Sequence, residues 1–415
     1  MKRLKGRDMK NLCVILAVAM LFLAASAANS ADSIKIGFIF VVSGPMALQG
    51  SIGSQGAKLA IDEINAAGGV LGRKLEEIFE DSGGDGKKAS AAFKKLVQGD
   101  KVDAVMGVIL SPVAIALMPV VKEEKTPLIV TTAATPVITG PACNRYTFRV
   151  AWSSDQFCRG AALVAATTKA KKWTTIGPDN ALGTESWKLF QKHLAAKQPD
   201  AKFASESETR FAPTSTTDWS TQLKNLMSSD ADGVLITLWG DNFVEFVRQA
   251  NKVGFFDGKR ECVSTVVAVN NLIALGSEAP VGLWVIVPYW HSMSGKANKD
   301  FVDAYFKKYN TVPAYAPQFA YAAVKAYAGV LQNTGTTDKE AVVNALEGFT
   351  FEAPLGPITI RREDHQATHS GFAGRITDQR EVAMGKKILR SLGSTIVLPA
   401  QEVETPLAET GCKMK

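Results

Sequence analysis

From Ile34 onward the chain alternates short apolar runs with stretches of helical period. Residues 34–42 (IKIGFIFVV) form a nearly continuous β-branched and aromatic run, closed by Ser43-Gly44-Pro45. That pattern predicts a strand buried on both faces. The next segment places Ile52, Ala57, Ala60, Ile61, Ile64 and Ala67 at helical spacing until Gly68-Gly69 stops it. Strands are expected at 75–80, 104–108 and 127–130, separated by helices at 87–97 and 112–123. Strands alternating with helices argue for a parallel sheet covered on both faces.

The rhythm restarts near residue 150. Helices are expected at 155–168, 183–194, 218–227 and 243–253, and strands at 173–176, 203–208 and 233–238. This is a second α/β unit with no detectable sequence repetition. Helices follow near 298–309, 316–332 and 338–347. Pro354, Gly356, Pro357 and Gly371 mark 351–385 as short strands and turns, and 394–415 reads as a tail.

Length and charge refine this picture. A chain of 415 residues suits two or three domains. With 46% hydrophobic and 21% charged residues, wholesale disorder and a fibrous fold are excluded. The single long apolar run lies at the N-terminus, which excludes a multi-span membrane protein. Much of the net charge of +7 is local: Lys2, Arg3, Lys5, Arg7 and Lys10 stand against Asp8 alone. The remainder carries 42 basic and 39 acidic residues, too balanced for a nucleic-acid partner.

That basic start precedes an apolar stretch at 12–25 and Ala25-Ser26-Ala27, the order of a secretory signal peptide over residues 1–27. The run is shorter than the ~20 residues needed to span a bilayer. Export to a periplasm is therefore expected. There, Cys143, Cys158, Cys262 and Cys412 are free to form disulfides. Proximity in sequence favours Cys143 with Cys158, leaving Cys262 to tie down the tail through Cys412; buried free thiols are the alternative. No C-x-x-C motif supports a zinc or redox centre.

In open α/β sheets, ligands bind beyond the C-terminal ends of the strands. Two such loops share a chemistry: Ser111-Pro112 after the strand ending near Val108, and Thr131-Thr132-Ala133-Ala134-Thr135-Pro136 after strand 127–130. Each puts a hydroxyl and free backbone N–H groups at a helix start, which suits a carboxylate. Two ordinary helix caps would look the same. Gly50, Gly53 and Gly56 depart from G-x-G-x-x-G and read as close packing, not a dinucleotide site. His365 and His369 are four apart but lie in a turn-rich segment, so no metal is expected, nor any other cofactor. Trp219, Trp239, Tyr289 and Trp290 fall in or near the later loops and are candidate aromatic walls.

The segment SGPMALQGSIGSQGAKLAIDEINAAGGVLGRKLE (43–76) resembles the opening of the leucine/isoleucine/valine-type periplasmic solute-binding proteins of ABC transporters. The likeness continues through VDAVMGVILSP (102–112), TPLIVTTAATP (126–136), DNALGTES (179–186) and FVRQANKVGF (246–255), and covers roughly 33–385. It implies two Rossmann-like lobes with parallel sheets, joined by a three-crossing hinge: the type I periplasmic binding fold. Lobe 1 would be 32–150 plus 267–350, lobe 2 151–266 plus 351–385, and 386–415 a C-terminal tail. The resemblance places Ser111, Ala133, Ala134 and Thr135 at the ligand carboxylate. Gln49 stands where relatives have an aromatic residue over the ligand, and Trp219 falls on an aromatic contact in lobe 2. Leu182 replaces a tyrosine that touches ligand. The acidic partner of a ligand ammonium falls on Asn242, with Asp241 adjacent.

Asn cannot supply the full charge an ammonium favours. The expected ligand is therefore a non-amino carboxylate, an aromatic or keto acid, walled by Trp219 and the Tyr289/Trp290 pair. The leading reading is a monomeric, non-enzymatic receptor that closes on its ligand and delivers it to an ABC permease. Branched-chain or other amino acids on the same scaffold, a sensory receptor, and an exported enzyme are the alternatives. The enzyme reading lacks an activated nucleophile or metal cluster.

Overall fold

The computed structural model describes residues 32–43, 47–205, 210–383, 387–393 and 395–414; the leader expected over 1–27 lies outside them. The first sheet contains β1 (Ile34–Phe40), β2 (Leu75–Asp81), β3 (Ala104–Gly107), β4 (Leu128–Val130) and β5 (Thr147–Arg149). All pair in parallel, in the order β2-β1-β3-β4-β5. Helices α1 (Ala47–Ala66), α2 (Gly86–Lys94) and α3 (Ser111–Glu124) connect them. β1 reads as a continuous apolar run because both its faces are covered. Ile34, Ile36, Phe38, Ile39 and Phe40 are all at most 1% exposed. Each such side chain contributes about 1.5–3 kcal/mol relative to exposure.

The second sheet repeats that order. It holds β6 (Lys172–Pro178), β7 (Lys202–Phe203), β8 (Arg210–Ala212), β9 (Gly233–Ile236), β10 (Glu261–Ser264) and β11 (Trp284–Val287). The path β7-β6-β9-β10-β11 is parallel, with β8 also beside β6. Its helices are α4 (Ser154–Ala165), α5 (Ala181–Lys197), α6 (Ser220–Ser228), α7 (Gly240–Lys252) and α8 (Val269–Leu275). In each sheet the strand order reverses beside its first strand, between β1 and β3 and between β6 and β9, the place where doubly wound sheets open a crevice.

Helices α9 (Lys296–Tyr309), α10 (Tyr315–Thr334) and α11 (Lys339–Leu346) return to the first lobe. There α10 packs along α1 so closely that a Cβ on Gly56 would stand 1.7 Å from the Pro317 carbonyl oxygen. A Cβ on Gly50 would be as close to the oxygen of Val41. The glycine series is therefore a packing device on α1.

Two exchanges between lobes differ from the expected boundaries. β11 belongs to the second sheet, so the chain returns to lobe 1 after Val287 rather than at 267. Its apolar side chains are buried alongside β10 and leave no free face for a crossing. The small sheet of β12 (Thr350–Ala353), β13 (Gly356–Ile360) and β14 (Ala367–Thr368) stays with lobe 1, because Ile358, Ile360 and Ala367 enter its core. The last crossing comes between Thr368 and β15 (Gly371–Ala383), which pairs antiparallel with β11.

The tail is more ordered than expected. β16 (Lys387–Leu392) and β17 (Ile396–Leu398) both pair with β15, and α12 (Ala400–Val403) and α13 (Leu407–Thr410) follow. The cysteine pairing also differs. Cys143 is bonded to Cys412 across 269 residues of sequence, while Cys158 and Cys262 are buried free thiols. Burial pushes both thiols upward, Cys262 to about 12, so neither is a ready nucleophile.

The two histidines of the turn-rich segment are engaged separately. His365 stacks on Phe148 at 4.0 Å, and its Nδ1 lies 3.1 Å from the carbonyl oxygen of Thr147. His369 stacks on Trp152 at 5.8 Å.

Candidate functional site

A partly open cavity of about 120 Å³ lies between the lobes, on the crevice side of both sheets. The first lobe lines it with Ile109, Leu110, Ser111, Thr132, Ala134 and Tyr315. The second adds Phe157, Asn180, Leu182, Trp239 and Val266, with Pro112 and Ala181 completing the wall. Four helices begin here. Ser111, Ala181 and Tyr315 are the first residues of α3, α5 and α10, and Trp239 is the cap of α7. The first N–H groups of a helix have no partner within it, and the helix dipole makes that end positive. Among the described residues no Asp, Glu, Lys, Arg or His side chain lines the cavity. Its field is therefore that of helix starts and hydroxyls, set in apolar walls.

The loop after β3 explains why Ser111 points there. Gly107 and Val108 both take positive φ, +117° and +67°. For a β-branched residue that is strained backbone. Two hydrogen bonds hold it: the Val108 N–H donates to Ile39 O at 2.9 Å, and Val108 O accepts from the Ala133 N–H at 3.0 Å. The bend turns the chain out of the sheet so that α3 starts over the strand ends. Ser111 Oγ then accepts from the N–H of Thr135 at 3.1 Å, joining the two loops. Its own O–H stays available to an acceptor in the cavity. Thr132 Oγ1 is buried and has no hydrogen-bond partner.

Arg149, at the end of β5, fastens the second loop from below. It is 1% exposed. Its guanidinium donates to Thr135 O at 2.6 Å, Ala133 O at 3.3 Å, Thr139 Oγ1 at 2.7 Å and Gln366 Oε1 at 2.6 Å. Burial pulls its pKa down to about 9, with Asp364 opposing.

The sequence-derived residues divide into four groups. Ser111, Ala134 and Leu182 line the cavity. Ala133 and Thr135 support it from behind: Ala133 has no exposed surface, and Thr135 is 2% exposed with its N–H taken by Ser111. Gln49 and Asn242 flank it. Gln49 reaches across the cleft, its Nε2 3.4 Å from where a Gly240 Cβ would stand. Asn242 Nδ2 donates to Thr216 O at 3.1 Å, and Asp241 beside it is exposed.

Trp219 and Tyr289 are not cavity walls. Trp219 has no exposed surface, its ring standing edge-on to Phe246 at 5.7 Å. Its backbone N–H is held by Gln249 at 2.8 Å, which turns the indole inward. Tyr289 is 1% exposed and donates to Asn298 Oδ1 at 2.8 Å, within a cluster formed with Leu59, Phe301 and Tyr305. Trp290 is 3% exposed and belongs to the second-lobe core.

The aromatic walls are instead Trp239, Phe157 and Tyr315. Trp239, one of the four aromatic candidates read from the sequence, follows the end of β9, where the strand-end rule also points. Phe157 sits on the first turn of α4, after a capping box formed by Ser153 and Gln156. Its apolar spacing alone looks like core. Tyr315 opens α10, and burial pushes its phenol up to about 12, which keeps it neutral.

One carboxylate stands close by without lining the cavity. Glu185 on α5 accepts from Thr135 Oγ1 at 3.4 Å across the cleft. Burial raises its pKa and the Thr135 bond opposes that.

Comparison with known proteins agrees with this fold. The profile of a family described as periplasmic binding protein matches residues 33–381. A Leu-, Ile-, Val-, Thr- and Ala-binding protein of Pseudomonas aeruginosa is 27% identical over 354 residues, covering 80% of this chain and 87% of its own. The fold is similar to that of an amino acid ABC transporter substrate-binding protein of Pseudomonas fluorescens. The TM-score there is 0.81 at 23% identity, with 93% of this chain and 100% of the other covered. It is also similar to an ABC transporter solute-binding protein of Rhodopseudomonas palustris in complex with 3,4-dihydroxybenzoic acid. That TM-score is 0.79 at 22% identity, covering 89% and 98% of the two chains.

Proposed function

Because this chain belongs to the periplasmic binding protein family, whose members bind solutes for ABC transporters, we propose that its cleft captures a small carboxylate with an apolar body, an aromatic or keto acid. The carrying observation is the cavity's composition. Four helix starts and the Ser111 hydroxyl meet apolar and aromatic walls, and among the described residues no charged side chain lines the space. A carboxylate at a partly buried helix start gains up to about 2 kcal/mol. An ammonium in the same place would lie among positive helix ends with no carboxylate among the lining residues, the nearby Glu185 being turned to Thr135, and an unpaired buried ammonium costs several kcal/mol. The volume agrees with a small ligand, since a dry cavity of roughly 150 Å³ admits one benzene ring. Ser111 and Ala134 would take the carboxylate, and Trp239, Phe157, Leu182 and Tyr315 the body. Delivery to an ABC permease follows from the family; we place the working protein in the periplasm as a monomer, after removal of residues 1–27.

Thermal unfolding against benzoates, 2-keto acids and branched-chain amino acids tests this reading. A true ligand at ~100 times its Kd adds about 2.7 kcal/mol. Shifts are expected with the non-amino acids; a shift confined to amino acids would favour an ammonium seat at Asp241 or Glu185. Trp239→Ala should weaken the ligand at least about tenfold, equal to 1.4 kcal/mol. Trp219→Ala should instead lower the midpoint of the free protein, since that ring is core. Titration and melting of the two variants separate wall from core.

A further inference from the structure

The C-terminal segment touches both lobes behind the hinge. On the second lobe, β17 pairs with β15 and Val403 is fully buried in the core around α4. Thr405 Oγ1 donates to Asp155 Oδ2 at 2.6 Å. Glu409 then accepts from Arg159 on α4 at 2.9 Å and from Lys192 on α5 at 2.6 Å. Three residues later the chain is covalently fixed to the first lobe through Cys412 and Cys143. Cys143 lies between Pro136–Thr139 and β5, and Cys412 Sγ also rests 3.6 Å from the Glu363 carbonyl oxygen, in the turn between β13 and β14. Close packing continues at Gly140, where a Cβ would stand 2.6 Å from Thr410 O.

We propose that residues 396–412 form a covalent strap across the hinge that limits how far the two lobes rotate apart. The limit follows from reach. A fully extended residue spans at most ~3.6 Å, so the three steps from Glu409 to Cys412 span no more than about 11 Å. Rotation that separates Arg159 and Lys192 from Cys143 beyond that slack must pull Glu409 off both partners. Lobe opening in this fold is a hinge motion, so whatever bridges the lobes besides the three crossings biases the open–closed equilibrium. The strap also covers a small polar chamber of about 90 Å³ where Arg149, Asp155, Asp364 and Gln366 meet next to the first crossing. Opening beyond the strap's slack would wet that chamber. The proposal does not depend on which ligand the cleft takes.

Hydrogen exchange by mass spectrometry, on the ligand-free protein, tests it. The intact disulfide protein is compared with the same protein under mild native-state reduction, and with a Cys143→Ser/Cys412→Ser variant. Cys158 and Cys262 are buried with raised thiol pKa values, so they do not confuse the comparison. Loss of the strap is expected to speed exchange several-fold in cleft segments 109–113, 132–135 and 180–184, on both lobes, while β1 keeps its protection. Faster exchange confined to 396–414 and the α4 and α5 surfaces beneath it would mean that the tail merely frays, and would overturn the proposal. Unchanged exchange everywhere would overturn it as well. Chemical reduction of folded protein supplies the answer if the double variant folds poorly.

Discussion

Replacing Arg149 with methionine is expected to cost roughly 3–5 kcal/mol of stability, the range for dismantling a buried charged network. The side chain is fully enclosed, and its guanidinium satisfies two carbonyls, a hydroxyl and an amide oxygen. Methionine fills much of the volume but leaves those acceptors without donors. Each buried unpaired group costs about 1–3 kcal/mol, and relief from desolvating the charge offsets part of the sum. Urea unfolding at pH 7 reads the change as a lowered midpoint at unchanged slope. Because Thr135 O and Ala133 O are among the orphaned groups, the loop carrying Ala134 should loosen and ligand affinity should fall as well. Arg149→Lys should recover little, since a single ammonium cannot reach acceptors arranged for a planar fork. A midpoint within a few tenths of a kcal/mol of wild type would show that the network does not hold the loop.

Acid is expected to destabilise the protein in two stages. Burial holds His369 down at about 4, while its backbone acceptors at Ser370 and Val150 oppose the shift. An unfolded histidine titrates near 6.5. Below that value the unfolded state binds a proton the folded state refuses, so stability present above pH 6.5 is lost as pH falls toward 4. The shift corresponds to about 3 kcal/mol over that window. Asp155 acts lower. Burial would raise it, but hydrogen bonds from His193, Arg159 and Thr405 outweigh burial and hold it far below the usual carboxylate range. Its contribution is present above ~3.9 and is lost as pH falls below that. Stability should therefore be flat from pH 7 to 8, fall between 6.5 and 4, and fall again in stronger acid. His369→Gln should make the first stage shallower, with His365, which burial also holds below its usual value, carrying the remainder, and leave the second. Urea midpoints at half-unit pH steps measure both; a first stage equally steep in the variant would assign it to another group.

Much of this was readable before any coordinates. Buried parallel strands announce themselves as unbroken apolar runs, so β1, β3 and β4 fall within a residue or two of expectation. The strand-end rule needs only those positions, and it led to Ser111 and Ala134; Leu182, at the start of α5, came from the family resemblance. What the sequence hid was non-local. Whether a tryptophan at a helix start faces a cleft or a core depends on which way its neighbours turn it. Gln249 clamps the backbone of Trp219, while Trp239 caps α7 at the sheet's open edge. Tyr289 was lost to a partner nine residues away, Asn298. The disulfide joins residues adjacent only after the tail has wrapped round the hinge, so closeness in sequence misled. The placement of β11 in the second sheet likewise rests on pairing, with β10 on one side and with β15, some 90 residues later, on the other.

The central claim is that the cleft seats a carboxylate and has no seat for an ammonium. Calorimetric titration with matched pairs tests it most directly: 4-methyl-2-oxopentanoate against leucine, and phenylpyruvate against phenylalanine, on protein freed of carried-over ligand by unfolding and refolding. Each pair keeps the carboxylate and the body and differs in a keto or an ammonium group. The account predicts that the keto acid of at least one pair binds at least about tenfold more tightly than its amino partner, a difference of 1.4 kcal/mol. Tighter binding of leucine or phenylalanine than of the corresponding keto acid would contradict it.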